Sequence, residues 1–171
     1  MRIFKLLLLT LGLSLVCQSC GFYSFNGISI DSNIETFQVN FFQNEAAIVE
    51  PGIDRQFTFA LQDLIQDQTN LSLVNNGGEL LYEGEIVEYY IAPQAATSQN
   101  TAAQNRLTIA VNVRYFNNTQ DDGEDDFERR FSFFADVPAT AQLTGSVLDT
   151  ALEEIFERIT QDIVNASLAQ W

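Results

Sequence analysis

Histidine is absent from all 171 residues. Its absence removes the commonest general base at neutral pH, together with Ser-His-Asp and Cys-His pairs and any helix-borne pair of zinc-binding histidines. Lysine occurs once, at Lys5, and proline only three times. The two cysteines, Cys17 and Cys20, both lie near the start, so no disulfide framework can staple the remainder. A phosphate-cradling glycine loop is missing too, because Asn76-Gly77-Gly78-Glu79 lacks both the lysine and the following helix. Positive charge is sparse, with 8 Lys and Arg against 23 Asp and Glu and a formal charge of −15. Nucleic acid is therefore disfavoured, since binding phosphates requires clustered cations. Electrostatic adhesion to anionic lipid is disfavoured for the same reason.

What is present begins with a greasy leader. Met1-Arg2-Ile3-Phe4-Lys5 is basic, Leu6 to Val16 is apolar, and a small residue stands at Ser19, the arrangement of a secretory signal over residues 1–19. The apolar segment is well short of the roughly 20 residues that span a bilayer. Cys17 follows the branched Val16, a poor fit to a cleavage pocket for small side chains. Cys20 follows Ser19 and precedes Gly21, and is the expected site of lipid attachment, although Gln18 is an unusual neighbour. The plain alternative is an ordinary signal peptide with an incidental cysteine. Two or more acyl chains on Cys20 give stable anchoring. Cleavage removes Arg2 and Lys5, which takes the formal charge from −15 to −17 and leaves six arginines and no lysine. Residues 20–35 then read as a lipidated tether in which Ile28 and Ile30 begin to pack. Residues 36–171 form one α+β domain, long enough for one sizeable core. An apolar content of 46%, with 14 phenylalanines, argues for a folded body rather than a disordered tail.

The periodicities order this body. Thr36 to Phe41 alternates, with Phe37, Val39 and Phe41 expected on one face of a strand ended by Asn44 and Glu45. Pro51-Gly52 precedes a helical stripe of Ile53, Phe57, Ala60, Leu61, Leu64 and Ile65, which fades near Thr69; Pro51 suits a first-turn position. Leu71 to Val74 is a short extended segment. Leu80 to Ile91 reads as a strand whose inward set passes from Tyr82, Gly84 and Ile86 to Tyr89 and Ile91, which requires a bulge near Val87-Glu88. Pro93 to Ala103 is a low-complexity loop. Asn105 to Phe116 points Leu107, Ile109, Val111, Val113 and Tyr115 inward. An acidic turn over Asn117 to Asp126 leads to the returning strand Phe127 to Phe134. A helix from Ser146 to Leu168 closes the pattern. The sum is two helices packed on one face of a small mixed, largely antiparallel sheet.

Three groups could carry chemistry. Glu83, Glu85 and Glu88 on one strand offer paired carboxylates for a hydrolase, or simply a solvated strand face. Residues 121–126, Asp121-Asp122-Gly123-Glu124-Asp125-Asp126, offer oxygens to a cation but lack the spacing of a dedicated calcium loop, so a solvated turn is the plainer reading and no metal site is assigned. Arg106, Arg114, Arg129 and Arg130 are four of the six mature arginines, and they fall on two adjacent strands. They could form a basic strip for a partner's carboxylates or for sugar phosphates, or merely pair with Glu85, Glu88, Glu124 or Glu128. No cofactor is called for beyond the lipid on Cys20.

Several segments taken together resemble the lipopolysaccharide-assembly lipoprotein family LptE, in its Bacteroidota-type form. They are Cys20 to Gly27, Thr36-Phe37-Gln38-Val39, Pro51-Gly52-Ile53, Gln68-Thr69-Asn70-Leu71, Tyr82-Glu83-Gly84-Glu85-Ile86, Asn105 to Ile109 and Ile163-Val164-Asn165-Ala166. Their order and spacing carry the likeness, which spans the mature chain. The resemblance implies a non-catalytic outer-membrane lipoprotein on the periplasmic side. Such a protein plugs and helps assemble the β-barrel LptD and serves as a station for lipopolysaccharide. Strong acidity opposes direct capture of lipid A phosphates, whereas a polar body suits a polar barrel lumen. A second class of function is an independent lipoprotein that binds a glycan or a peptide.

Overall fold

In a computed structural model, the described residues are 30–48, 50–94, 103–120 and 122–168. The leader, Cys20, Ile28, Asp121 and Trp171 lie outside them. The elements are β1 (Thr36–Val39), β2 (Gln43–Asn44), α1 (Ile53–Gln68), β3 (Ser72–Leu73), β4 (Leu80–Gln94), β5 (Gln104–Asn117), β6 (Phe127–Pro138) and α2 (Ser146–Leu168). The sheet runs β3-β1-β4-β5-β6, with β2 also on β4. β1 is parallel to both β3 and β4, while β4-β5 and β5-β6 are antiparallel. Both helices cover one face, with α1 over the parallel end and α2 over β5 and β6. The expected α+β architecture is therefore the observed one.

The long central strand sets the frame. Leu107, Ile109, Val111, Val113 and Tyr115 are all buried toward the helices, as the alternation requires. On β4 the register shifts between Ile86 and Glu88, leaving Val87 outside the pairing. The anticipated bulge is thus present, and it turns Tyr89 into the core, whereas Ile91, expected inward with it, is 36% exposed near the end of the strand.

The first strand departs from its expected phase. Val39 pairs with Tyr82 and Gln43 with Glu85, so four steps along β1-β2 match three along β4. The extra residue flips the chain. Phe42 is fully buried and Phe41 is 53% exposed, contrary to the expected inward set of Phe37, Val39 and Phe41. What decides the matter is room on the neighbouring strand. A Cβ on Gly84 would lie 2.7 Å from the Phe42 ring and 2.0 Å from the Asn112 carbonyl oxygen, so Gly84 leaves the space that the ring occupies. Phe42 then packs edge-on against Phe57, and Phe57 against Phe156, at centroid distances of 5.1 and 5.3 Å. This relay ties sheet, α1 and α2 together.

Other boundaries also shift. β4 runs to Gln94 and β6 to Pro138, beyond the expected ends at Ile91 and Phe134, because Pro93 and Pro138 still have register partners in Asn105 and Gln104. Most of the expected 93–103 loop lies outside the described residues. Gly52, at φ 88, holds the N-cap of α1, which places Pro51 before the cap rather than in the first turn. The link from β3 to β4 crosses β1 closely at Gly78, where an added Cβ would lie 2.6 Å from that of Gln38. Glu79 then anchors the crossing. Its Oε2 accepts the backbone N–H groups of Glu35 and Thr36 at 2.7 and 2.8 Å and the Thr36 hydroxyl at 3.0 Å. These hydrogen bonds to the charged form hold its carboxyl below the ordinary value.

A candidate interaction surface on the open sheet face

The face of β4-β5-β6 turned away from the helices is built in rows by the antiparallel register. Glu83, Arg114 and Glu128 form one row, and Glu85, Asn112 and Arg130 the next. Beyond them come Glu88, Ala110 and Ser132, then Tyr90, Thr108 and Phe134, then Ala92, Arg106 and Asp136. The bulge at Val87 keeps Glu83, Glu85 and Glu88 on this one face.

Three of the four arginines singled out in the sequence meet here, and each holds a carboxylate. Arg114 lies between two of them, with Nε 3.2 Å from Glu83 and Nη1 3.0 Å from Glu85. Arg130 pairs with Glu88. Arg106 grips Asp136 in bidentate fashion at 2.7 and 2.8 Å, and its guanidinium carbon sits 3.6 Å from the Phe134 ring centroid. The hydrogen bonds from Arg106 hold the Asp136 carboxyl below its ordinary value, while the Asp136 and Glu83/Glu85 contacts raise the two arginines. Glu83 and Asp136 are partners that the sequence reading did not name, whereas Glu124 and Glu128 form no ion pair among the described residues. Arg129 stands apart. Strand alternation turns it to the helix-side face of the edge strand, over Phe127 and Phe131.

The helix side has the opposite electrostatics. A groove of about 560 Å³ between α1 and α2 is floored by Ala60, Leu64 and Phe156 and rimmed by acids including Asp63, Asp67 and Glu153. Among the described residues the one ion pair on the helices joins Arg158 to Asp162 at 3.5 Å. Among the described residues, uncompensated negative charge is thus concentrated on the helix layer, and the open sheet is mostly compensated, with Glu128 its one acid outside an ion pair. In the acidic turn, Asp126 accepts the Asn117 backbone N–H at 2.9 Å and Asp125 accepts Gln120 at 2.9 Å. No group of three or more potential metal ligands occurs among the described residues.

A family model described as LptE, lipopolysaccharide-assembly, matches residues 34–167. The chain belongs to the LptE family. LptE proteins are non-enzymatic, so Glu83, Glu85 and Glu88 belong to a charge lattice and not to a hydrolase. No curated protein matches by sequence. Among solved structures, the hypothetical protein CT253 from Chlamydia trachomatis is 9% identical, with a TM-score of 0.54 over 80% of this chain and 99% of that one. Protein XCC0632 from Xanthomonas campestris is 12% identical, with a TM-score of 0.53 over 79% of this chain and 84% of the other. At such identities both similarities speak to fold alone. No helix among the described residues of this LptE-family chain is long and apolar enough to cross a membrane.

Proposed function

We propose that the protein is a lipid-anchored subunit of the outer membrane. Cys20 holds it on the periplasmic side, where it partners, plugs and helps assemble the LptD β-barrel that passes lipopolysaccharide to the outer leaflet. The family match over 34–167 is the observation that carries this reading. Electrostatics favours the open sheet as the docking face. All of its charges but Glu128 are already paired, so burying them against a polar lumen strands few lone ions, whereas the unpaired acids of the helix layer are best left in water. In this reading Arg106, Arg114 and Arg130 are the candidate contacts for the partner or for lipopolysaccharide, and Arg129 contributes least.

Affinity purification from outer membranes in detergent, with identification of the bound protein, tests the proposal. A barrel should co-purify, and mass spectrometry should find the mature chain beginning at an acylated Cys20. Arg114→Glu combined with Arg130→Glu should sharply reduce barrel capture, while Arg129→Glu alone leaves it near the native level. Recovery as a lone monomer with an unacylated start would overturn the assignment.

A further inference from the structure

The groove between α1 and α2 is walled by five carboxylates and no cation. Asp63 and Asp67 stand on its α1 wall and Asp149, Glu153 and Glu157 on its α2 wall, all of them exposed. None of the five takes part in an ion pair among the described residues. The helix arginines Arg55 and Arg158 lie outside the lining, and Arg158 is committed to Asp162 and the Phe133 ring. Between the walls Ala60 and Leu64 are only half-buried, so the floor presents apolar surface to solvent. Phe59, one turn before Asp63, adds a ring that is 53% exposed. Along α1 the lining runs from Gln56 to Asp67, a length of about 17 Å or roughly three helical turns.

We propose that this groove receives a basic amphipathic helix from a second protein. An apolar stripe at three-and-four spacing fits the floor, and Lys or Arg on either side of the stripe meets the two acidic walls. The other occupants fail on charge. An uncharged apolar ligand would shield the carboxylates from water with nothing to compensate them, whereas a partner that brings its own cations strands no lone ion. An anionic lipid surface is repelled. A second copy of this chain carries the same −15, and the arginines of its open sheet are already paired. The groove belongs to the helix layer and faces away from a barrel docked on the open sheet, and on that docking rests the assignment to a separate protein. The unpaired acids would also steer a cationic segment toward the groove, at a rate that falls with salt.

The test uses the full chain held in phosphatidylcholine nanodiscs, whose surface has no net charge. The probe is a displayed library of helical peptides about four turns long, counter-selected on empty nanodiscs. Enriched peptides should carry Lys or Arg on both sides of Leu, Ile or Phe residues spaced three and four apart. Fluorescence anisotropy of the synthetic consensus peptide should show binding that weakens as salt rises. Asp63→Asn with Glu153→Gln, one acid from each wall, should weaken it about fivefold at low salt, the range of two exposed ion pairs. Glu124→Gln with Glu128→Gln removes the same charge away from the groove and should leave binding near the native level. Ala60→Arg, which sets a cation on the floor, should abolish binding at an unchanged melting temperature. No enrichment, enrichment of acidic or uncharged peptides, or equal weakening by the two double variants would overturn the proposal. Loss of barrel capture in Ala60→Arg would make the barrel the occupant, and a native dimer dissolved by that variant would make it a second copy. Either result overturns the assignment to a separate protein. Failure of the native chain to capture a barrel, with peptide binding intact, would instead count against the proposed docking alone.

Discussion

Single residues decide more here than the hydrophobic pattern suggests. Gly84 lies where a side chain would strike the Asn112 carbonyl and the Phe42 ring at once. Gly84→Ala should therefore destabilise the fold by roughly 1–3 kcal/mol or more, seen as a lower urea midpoint at an unchanged m-value. Ser167 is a quieter case. Its hydroxyl lies 2.9 Å from that of Tyr82, which is wholly buried beneath α2 and held well above its ordinary ionisation range by desolvation. Ser167→Ala leaves that phenol without a partner and should cost about 1–3 kcal/mol in the same assay. Glu79 sets an acid limit. Its folded-state carboxyl titrates below the ordinary value of 4.5, so its contribution is complete above that value and is lost as pH falls through the lower folded one. Glu79→Gln should flatten the acid limb of stability against pH.

The helices join the parallel end of the sheet through aromatic contacts. Phe57 is fully buried between Phe42 and Phe156, so it touches a ring from the β1-β2 segment on one side and a ring from α2 on the other. Phe57→Ala should cost about 3–5 kcal/mol and lower cooperativity, because it loosens both helices from the parallel end of the sheet. Thr58 supports the same junction. Its hydroxyl donates to the Asp54 carbonyl at 2.8 Å and accepts the Phe42 N–H at 3.1 Å. Both helices and the central strand were legible in the sequence because each presents one long unbroken period to a single core. The first strand was not. Its phase depends on a residue inserted opposite a glycine more than 40 positions away, and nothing local to Phe41-Phe42 marks which ring turns in.

For the molecule as a whole, the sorting of charge matters more than its total. Removing partners from the open face by Glu83→Gln with Glu85→Gln would leave Arg114 with Glu128 alone opposite it and should strengthen capture by an anionic surface, read as salt-sensitive retention on an acidic resin. The native face, with each of its three arginines already paired, should be nearly indifferent. The four arginines could be counted in the sequence, and alternation alone separates Arg129 from Arg130. Their carboxylate partners could not be named, because Asp136 and Glu83 become neighbours only when β4-β5-β6 take their register.

The sequence by itself determined the class of fold, the bulge in β4, the extent of both helices and the absence of histidine-based chemistry. These follow from side-chain type and spacing along one strand or one helix. Tertiary structure alone decided that Phe42 and not Phe41 enters the core, that three arginines share one face with their acids, and that Tyr90 and Phe134 stand either side of Thr108. Each of those relations joins residues distant in the chain, and a local pattern contains no information about how the strands are laid side by side.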